Sequence, residues 1–318
     1  METPVKKSTL FSKSNLETYS LILIVLALGF TMTVLSPSFF TTTNLLNVLR
    51  QVSINGILAI GMTFVVLTGG IDLSVGSIVA FCGIVSAGLL RDAQLPIPLV
   101  IVISLLIGIA LGSFNGYFVA YWNAAPFVVT LSLMTIARGM TYVYSDGKPI
   151  SPLPEEFLAI GKGKMLGIPT PAVILLGVFI LSFIVIKYFR IGRYIYAVGG
   201  NENSAVVSGI NVRAIKMIVY SISGGLCGLA AIILTSRVSA GLPQAGQGYE
   251  LDAIAATVIG GTSLSGGRGR LWGTILGALL LGIVSNGLDL LNVSSFYQQI
   301  VKGVIILAAI LIDSKRVK

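Results

Sequence analysis

The stretch Ile191–Lys216, IGRYIYAVGGNENSAVVSGINVRAIK, lies between two long apolar segments of the chain. It is basic and rich in glycine and asparagine, so it is too polar to cross a lipid bilayer, and it is too short to form a domain. A polar loop in this position indicates a membrane-embedded body that another protein contacts from one side.

The composition places the whole chain in the membrane class. Of its 318 residues, 55% are hydrophobic and 10% are charged, whereas a soluble domain carries about 25% charged residues. The net charge of +9 arises mainly in loops beside apolar segments, which suits anionic lipid headgroups and not nucleic acid. Cys82 and Cys227 lie inside apolar segments and are expected to be packing residues, neither a disulfide nor metal ligands.

Apolar segments follow one another along nearly the whole chain. Since a bilayer core needs about 20 residues per helix, we predict an all-α polytopic membrane protein with about ten transmembrane helices. The candidate segments are Tyr19–Leu35, Leu45–Leu67, Ile71–Leu90, Ile97–Ala120, Pro126–Tyr144, Pro171–Phe189, Ile215–Ser236, Tyr249–Leu264, Leu271–Leu291 and Phe296–Ile312.

Two of these segments adjoin glycine-rich stretches. GGIDLSVGS, residues 69–77, stands at the start of one, and GGTSLSGG, residues 260–267, stands at the end of another. Such breaks occur in membranes only where protein or a water-filled cavity covers the freed backbone. We therefore expect one or two broken or re-entrant segments.

The distribution of lysine and arginine predicts the orientation. With both termini inside, the inner loops hold most of the basic residues, as the positive-inside rule requires. This orientation gives a cytoplasmic N-terminal segment over residues 1–18, one membrane domain over residues 19–312 and a cytoplasmic tail over residues 313–318. Residues 145–170 are expected to form a structured outer cap, and residues 190–214 form the inner loop.

Small residues recur at the spacing of close helix contacts. Gly108, Gly112 and Gly116 form a double GxxxG motif, and the pairs Gly224–Gly228 and Gly273–Gly277 repeat it. Membrane helices associate by close backbone approach, which small residues permit. We predict that these glycines lie in contacts between neighbouring helices.

Nucleotide binding and the common catalytic sites are excluded. Gly261 to Gly266 has the glycine spacing of a phosphate-binding loop, but Gly267 and Arg268 stand where lysine and serine or threonine are required. The chain has no histidine, and its few acidic residues are scattered. We expect no catalytic residues, no metal site and no cofactor.

A stripe of uncharged polar residues runs along the second candidate segment. Asn47, Gln51 and Asn55 share one helical face because of their four-residue spacing. The stripe either lines a path for a hydroxyl-rich solute or joins helices through hydrogen bonds of about 0.6 kcal/mol each. Ser285 and Asn286 pose the same choice, which the sequence leaves open. We take Asn47, Gln51, Asn55 and Asn286 as candidates for lining a translocation path.

Charges inside apolar segments usually face protein or water, because they cost about 2.5–3.5 kcal/mol at a helix centre in lipid. Asp72 and Asp252 lie near segment starts and are interpreted as structural, with Asp72 at a helix N-terminus. Arg50 and Arg138 are expected to pair with acids or carbonyl oxygens, and Lys302 also lies within a segment.

The inner loop contains the signals of a short helix with defined ends. Asn201 is a suitable N-cap, Glu202 and Asn203 fall in the first turn, and Gly209 ends the helix. The result is an amphipathic helix of about two turns parallel to the membrane, a shape suited to docking. The alternative is a solvated connector, which does not need so defined a start and stop.

Together these stretches resemble the bacterial monosaccharide ABC transporter permeases. The resemblance covers nearly the whole chain from Tyr19 to Lys315. The motifs that carry it are Gly69–Ser77, Gly192–Glu202, Ser208–Val212 and Gly248–Leu264.

The resemblance implies that two copies form a translocation path in the bacterial inner membrane. A separate cytoplasmic ATPase would dock on the inner loop, and a periplasmic sugar-binding protein would deliver the substrate. The cargo expected first is ribose, with xylose, galactose and autoinducer-2 as alternatives. The residues assigned to coupling with the ATPase are Gly200, Asn201, Glu202, Asn203, Ser208 and Gly209.

Two rival functions come from other classes. An ion-coupled secondary transporter would need titratable or ion-coordinating groups near the bilayer midplane, where the chain is poor in acids. A membrane-embedded enzyme is disfavoured by the absence of histidine and of paired carboxylates.

Overall fold

The computed structural model describes residues 13–317, with only the backbone for residues 13–18, 312 and 314–317. The predicted N-terminal segment up to residue 12 and Lys318 lie outside the described residues. The described chain is almost entirely helical, which confirms the all-α prediction. Its elements are α1 Lys13–Leu35, α2 Thr42–Leu67, α3 Val75–Arg91, α4 Ile97–Tyr121, α5 Pro126–Ser145, α6 Glu155–Lys162, β1 Lys164–Met165, β2 Ile168–Pro169, α7 Thr170–Tyr188, α8 Arg190–Gly200, α9 Glu202–Val207, α10 Val212–Val238, α11 Tyr249–Ile259, α12 Leu271–Leu290 and α13 Ser295–Val317.

The predicted count of about ten transmembrane helices is not confirmed. Within residues 13–317, 6 helices are long and apolar enough to cross a membrane, namely α2, α4, α5, α7, α10 and α12. The apolar parts of α1, α3 and α13 are shorter. The predicted segment Tyr249–Leu264 forms only the 11-residue helix α11, which is about 16 Å long against a hydrocarbon core of about 30 Å.

Two boundaries also differ from the prediction. Helix α1 begins at Lys13 instead of Tyr19. Helix α13 continues to Val317, so residues 313–317 of the predicted tail extend the last helix.

The long helices run up and down between two ends of the bundle. One end carries α8 and α9 and is called the α8–α9 end. The other carries the antiparallel hairpin of β1 and β2 and is called the hairpin end. Helix α2 runs towards the α8–α9 end, where the Leu67 carbonyl accepts a hydrogen bond from Gly267 N. Helix α10 runs the opposite way, from Val212 next to α9 to Ser239, which Lys162 contacts at the hairpin end.

The glycine motifs lie where helices cross most closely, as predicted. A side chain at Gly108 would collide with the Gly224 backbone, and one at Gly112 would collide with the Tyr220 carbonyl. In the same way α12 lies against α11, because Gly277 faces the Ala256 carbonyl. These contacts leave no room for a Cβ atom, so α4 and α10, and α11 and α12, each pack backbone to backbone.

Both predicted breaks are present. Helix α3 begins at Val75, within the first glycine-rich stretch, and α11 ends at Ile259, just before the second. The freed backbone groups find partners inside the protein, as a bilayer requires. Gly70 N donates to the Val65 carbonyl at 3.1 Å, and Leu264 N donates to the Asp313 carboxylate at 3.1 Å.

Residues 239–248 descend from the hairpin end along α3 without regular structure. Gly241 exchanges backbone hydrogen bonds with Ile150 of the cap and touches Ala87, whereas Gly246 touches Gly76 near the start of α3. Because α3 is helical between these two contacts, the segment travels about 16 Å into the bundle. Helix α11 therefore begins deep inside the bundle and is a half-helix.

The cap over residues 145–170 is ordered, as predicted. The Ser236 hydroxyl donates to the Phe157 carbonyl and accepts from Gly161 N, each at 2.7 Å. Phe157 is fully buried. These contacts hold α6 of the cap on α10.

The crossing of α4 and α10 gives the first prediction. Gly112→Leu should lower the free energy of unfolding by at least about 1–3 kcal/mol, because the added side chain meets backbone atoms that cannot turn away. The measurement is the unfolding temperature of the purified protein in detergent. Gly177→Leu is the matched control, since nothing lies within 4 Å of a Cβ atom there. Equal unfolding temperatures for the two variants would contradict this packing.

Candidate functional site at the α8–α9 end

Helix α9 has the start and stop that the sequence predicts. The Asn201 side chain caps it, accepting a hydrogen bond from Ser204 N at 2.8 Å. Gly209 follows the helix with a φ of +79°, a left-handed conformation that glycine adopts without strain. The capping residue and the terminating glycine are thereby confirmed, and α9 itself spans 6 residues.

The outer surface of α9 combines polar and apolar side chains. Val207 is 89% exposed and Val206 57% exposed, whereas Ala205 faces the bundle and is buried. Glu202 and Asn203 are exposed beside the valines. This small apolar centre with a polar rim is a surface suited to contact with another protein.

Helix α8 is fixed to both helix breaks by close backbone contacts. A Cβ atom at Gly199 would collide with the Leu67 carbonyl at the end of α2, and one at Gly267 would crowd Gly200. The Tyr196 hydroxyl donates to the Gly269 carbonyl at 2.9 Å, and its burial there raises its pKa. We call this meeting of α8, the end of α2 and the loop over residues 260–270 the glycine junction.

An ion pair fastens α9 to α10. Lys216 Nζ lies 2.8 Å from both carboxylate oxygens of Glu202. The Lys216 side chain is only 16% exposed, so the pair lies at the edge of the bundle and not in bulk solvent. A cavity of about 430 Å³ opens beside the pair, towards Tyr220 and the Gly69 turn.

The same face of α10 reaches the turn between α2 and α3. One helical turn beyond Lys216, the Tyr220 hydroxyl donates to the Ile71 carbonyl at 3.3 Å. Almost one further turn along, the Ser223 hydroxyl donates to the Asp72 carboxylate at 3.2 Å. A line of polar contacts therefore runs along α10 from the inner loop to the first helix break.

Asp72 ends this line and is fully buried. Its carboxylate accepts hydrogen bonds from Ser74 N at 3.0 Å, from the Ser74 hydroxyl at 2.6 Å and from the Asn115 amide at 3.4 Å. No lysine or arginine within the described residues forms an ion pair with it. The cluster joins α3, α4 and α10 just before the start of α3, in keeping with the structural role expected for Asp72.

The four residues predicted to line a translocation path do not share one environment. Asn47 is exposed and accepts a hydrogen bond from Arg50 Nη1 at 2.8 Å. Gln51 and Asn55 are half-buried, and no described residue bonds to either side chain. Asn286 is buried and exchanges two side-chain hydrogen bonds of 2.8 Å with Asn44, the helix-joining arrangement.

Two charged residues within the apolar helices, Arg138 and Lys302, have defined partners. Arg138 Nη1 donates to the carbonyls of Pro243 and Ala245 at 2.8 and 2.9 Å, which confirms the expected carbonyl pairing. Lys302 of α13 forms an ion pair of 2.8 Å with Asp252 of α11. These contacts tie the descending segment to α5 and the half-helix to α13.

The sequence did not predict the line of polar contacts along α10. Its one visible signal is Lys216, a cation at the start of an apolar run, with Tyr220 and Ser223 following on the same helical face. The partners of these residues come from distant parts of the chain, which spacing along one helix does not reveal.

The ion pair between α9 and α10 gives the second prediction. Lys216→Met should loosen α9 while costing about 1 kcal/mol or less in stability, because α9 loses its link to α10. The measurement is hydrogen exchange of the amides of α9, which should become about fivefold faster. Lys216→Arg should restore most of the lost protection, and Lys187→Met, at the same end of the bundle but outside this line, is the control. Unchanged exchange in Lys216→Met would show that the ion pair does not hold α9.

The chain is similar in sequence to a family of transport proteins and to several of its members. Residues 44–310 match the family described as branched-chain amino acid transport system / permease component. The chain is 48% identical over 303 residues to the ribose import permease protein of Haemophilus influenzae, covering 94% of this chain and 93% of that protein. It is 49% identical over 285 residues to the ribose import permease protein of Bacillus subtilis, covering 89% and 88%.

A third relative is named for another sugar. The chain is 40% identical over 280 residues to the D-allose transport system permease protein of Escherichia coli, covering 88% of this chain and 86% of that protein. No solved structure matches the chain. From the matched family and these relatives, we conclude that the chain belongs to the bacterial monosaccharide ABC transporter permeases.

Proposed function

We propose that the chain is the membrane subunit of an ATP-driven importer that moves a monosaccharide, with ribose as its cargo. It works as a homodimer in the bacterial inner membrane, with both termini in the cytoplasm, and draws energy from a separate ATPase. The observation that carries this proposal is the capped, exposed helix α9, which protrudes from the bundle yet is bonded to α10 through Glu202 and Lys216.

The cargo is inferred from the relatives. The proteins of Haemophilus influenzae and Bacillus subtilis that share almost half of this sequence are both named for ribose import. The more distant Escherichia coli relative is named for D-allose. Ribose is therefore the better supported cargo, delivered by a periplasmic sugar-binding protein at the hairpin end.

The ATPase docks on the surface formed by Gly200, Asn201, Glu202, Asn203, Ser208 and Gly209. Closure of two ATPase domains moves the two α9 helices, and the motion enters the bundle through the ion pair and the glycine junction. Both contacts end at the turn between α2 and α3, where Gly69 and Gly70 interrupt the helix. The cavity beside Glu202 gives that turn room to move.

The translocation path runs where two copies meet. Gln51 and Asn55 have amide groups that the described chain leaves without partners, and lipid offers none. A second copy and a water-filled path would supply partners for these amides and for Asn47. Asn286 is saturated by Asn44, so in this proposal it joins helices and does not line the path.

One observation favours an ion-coupled transporter as the second candidate. Asp72 is a fully buried carboxylate without a cationic partner among the described residues, and such residues mark ion or proton pathways in other membrane proteins. Its four hydrogen-bond donors support the structural role instead.

The two candidates differ in their energy source. Proteoliposomes holding the chain, its ATPase and the sugar-binding protein should take up labelled ribose only when ATP reaches the ATPase. Removing either partner should abolish uptake. Ribose uptake by the chain alone, driven by a proton or sodium gradient, would replace the ATP-driven proposal with the ion-coupled one.

Docking on α9 gives the third prediction. Asn201→Leu combined with Glu202→Leu should abolish ribose uptake and co-purification of the ATPase, because the cap of α9 and its ion pair are both lost. Membrane insertion should remain intact, since neither side chain faces lipid. Glu156→Leu changes an exposed acid at the hairpin end and should leave ATPase co-purification normal. An ATPase that still co-purifies with the double variant would place docking elsewhere.

A further inference from the structure

The start of α11 lies beside the polar stripe of α2, deep in the bundle. The Thr257 hydroxyl contacts the Ala59 carbonyl at 3.3 Å, and both helices run towards the α8–α9 end. Tyr249 precedes Thr257 by as many residues as Gln51 precedes Ala59, so Tyr249 and Gln51 lie at the same depth in the bundle. The first turn of α11 therefore faces the half of α2 that carries Asn47, Gln51 and Asn55.

Three polar groups near this point lack partners. Arg237 is half-buried, and no residue in the described part of the chain accepts a hydrogen bond from its guanidinium. The Tyr249 hydroxyl is also without a hydrogen bond to any described residue. Arg50 Nε is buried and unpaired. Arg237 lies within electrostatic range of both Tyr249 and Arg50.

Leaving these groups unpaired is unfavourable. Arg50 Nε is the buried donor among them, and a buried donor without an acceptor costs about 1–3 kcal/mol. The guanidinium groups of Arg50 and Arg237 also repel each other. The nearby acids do not neutralise them by direct contact, because Asp252 pairs with Lys302 and Glu250 accepts a hydrogen bond from Gly248 N. Acceptors for the donors of these three residues would therefore have to come from outside this chain.

We propose that Arg50, Arg237 and Tyr249 form a binding site for the hydroxyl groups of a neutral monosaccharide. This inference rests on the proposed function. It adds these three residues to the translocation path, beyond the polar stripe of α2. The guanidinium groups and the tyrosine hydroxyl donate to sugar oxygens, and the Tyr249 ring offers an apolar face to the sugar ring.

The neighbouring amides favour a sugar over an anion. Gln51 and Asn55 carry free carbonyl oxygens as well as free amide groups. Sugar hydroxyls both donate and accept hydrogen bonds, so they satisfy both kinds of group. A phosphate or carboxylate only accepts and would leave the amide oxygens unmatched. Arg237, in the last turn of α10, extends the site towards the hairpin end, from which a solute released by a binding protein would arrive.

Arg237→Gln tests the assignment in the complete complex with its ATPase and binding protein. It should reduce ribose uptake about tenfold, since a hydrogen bond from a charged donor contributes about 1.5–3 kcal/mol. The saturation-transfer NMR signal of D-ribose on the transporter in nanodiscs should also be lost. Arg91→Gln, an outlying arginine already paired with Asp92, is the control and should match the wild type.

Tyr249→Phe is a second variant in case Arg237→Gln fails to fold. It removes a single hydroxyl group and is not expected to disturb folding. It should lower uptake about fivefold with an unchanged unfolding temperature. Wild-type uptake and ribose signal in both variants would overturn the proposal. So would loss of binding-protein capture in Arg237→Gln with an intact ribose signal, which would make Arg237 a contact for that protein. Failure of the wild-type complex to import ribose would instead overturn the proposed function, before any variant is compared.

Discussion

Every backbone group freed by a helix break in this protein must find a partner inside the protein, because hydrocarbon provides none. The two breaks satisfy this constraint partly through each other. The Leu67 carbonyl at the end of α2 accepts from Gly267 N in the loop after α11. Leu264 N is bonded to Asp313 of α13. The broken segments therefore hold each other in place, and neither can move without changing the contacts of the other.

The inner loop is built on the same contacts. Gly199 of α8 lies so close to Leu67 and Gly267 that no side chain would fit. The next helix, α9, is held to α10 by Lys216, and α10 reaches the first break through Tyr220. A force on α9 would therefore reach both breaks through these contacts, which is the coupling that we propose.

Local structure could be predicted from the sequence, but the pairing of side chains from distant parts of the chain could not. Asn201 as a cap, Gly209 as a terminator and the glycine motifs as helix contacts follow from rules that involve only neighbouring residues. The count of about ten spanning helices is not confirmed, and hydropathy does not reveal that residues 239–248 descend into the bundle and leave α11 as a half-helix. The pairs Asn44–Asn286 and Asp252–Lys302 join residues far apart in the chain, which one sequence alone does not reveal.

The proposed function requires that motion of α9 also reaches the half-helix α11, because the loop after α11 belongs to the glycine junction. Spin labels at Val207→Cys on α9 and at Leu251→Cys on α11, with Cys82 and Cys227 replaced by alanine, report the distances between the two copies. Electron–electron double resonance is then recorded on the complex with and without trapped ATP. The proposed coupling predicts that both distances change together. A change at Val207 with no change at Leu251 would contradict it.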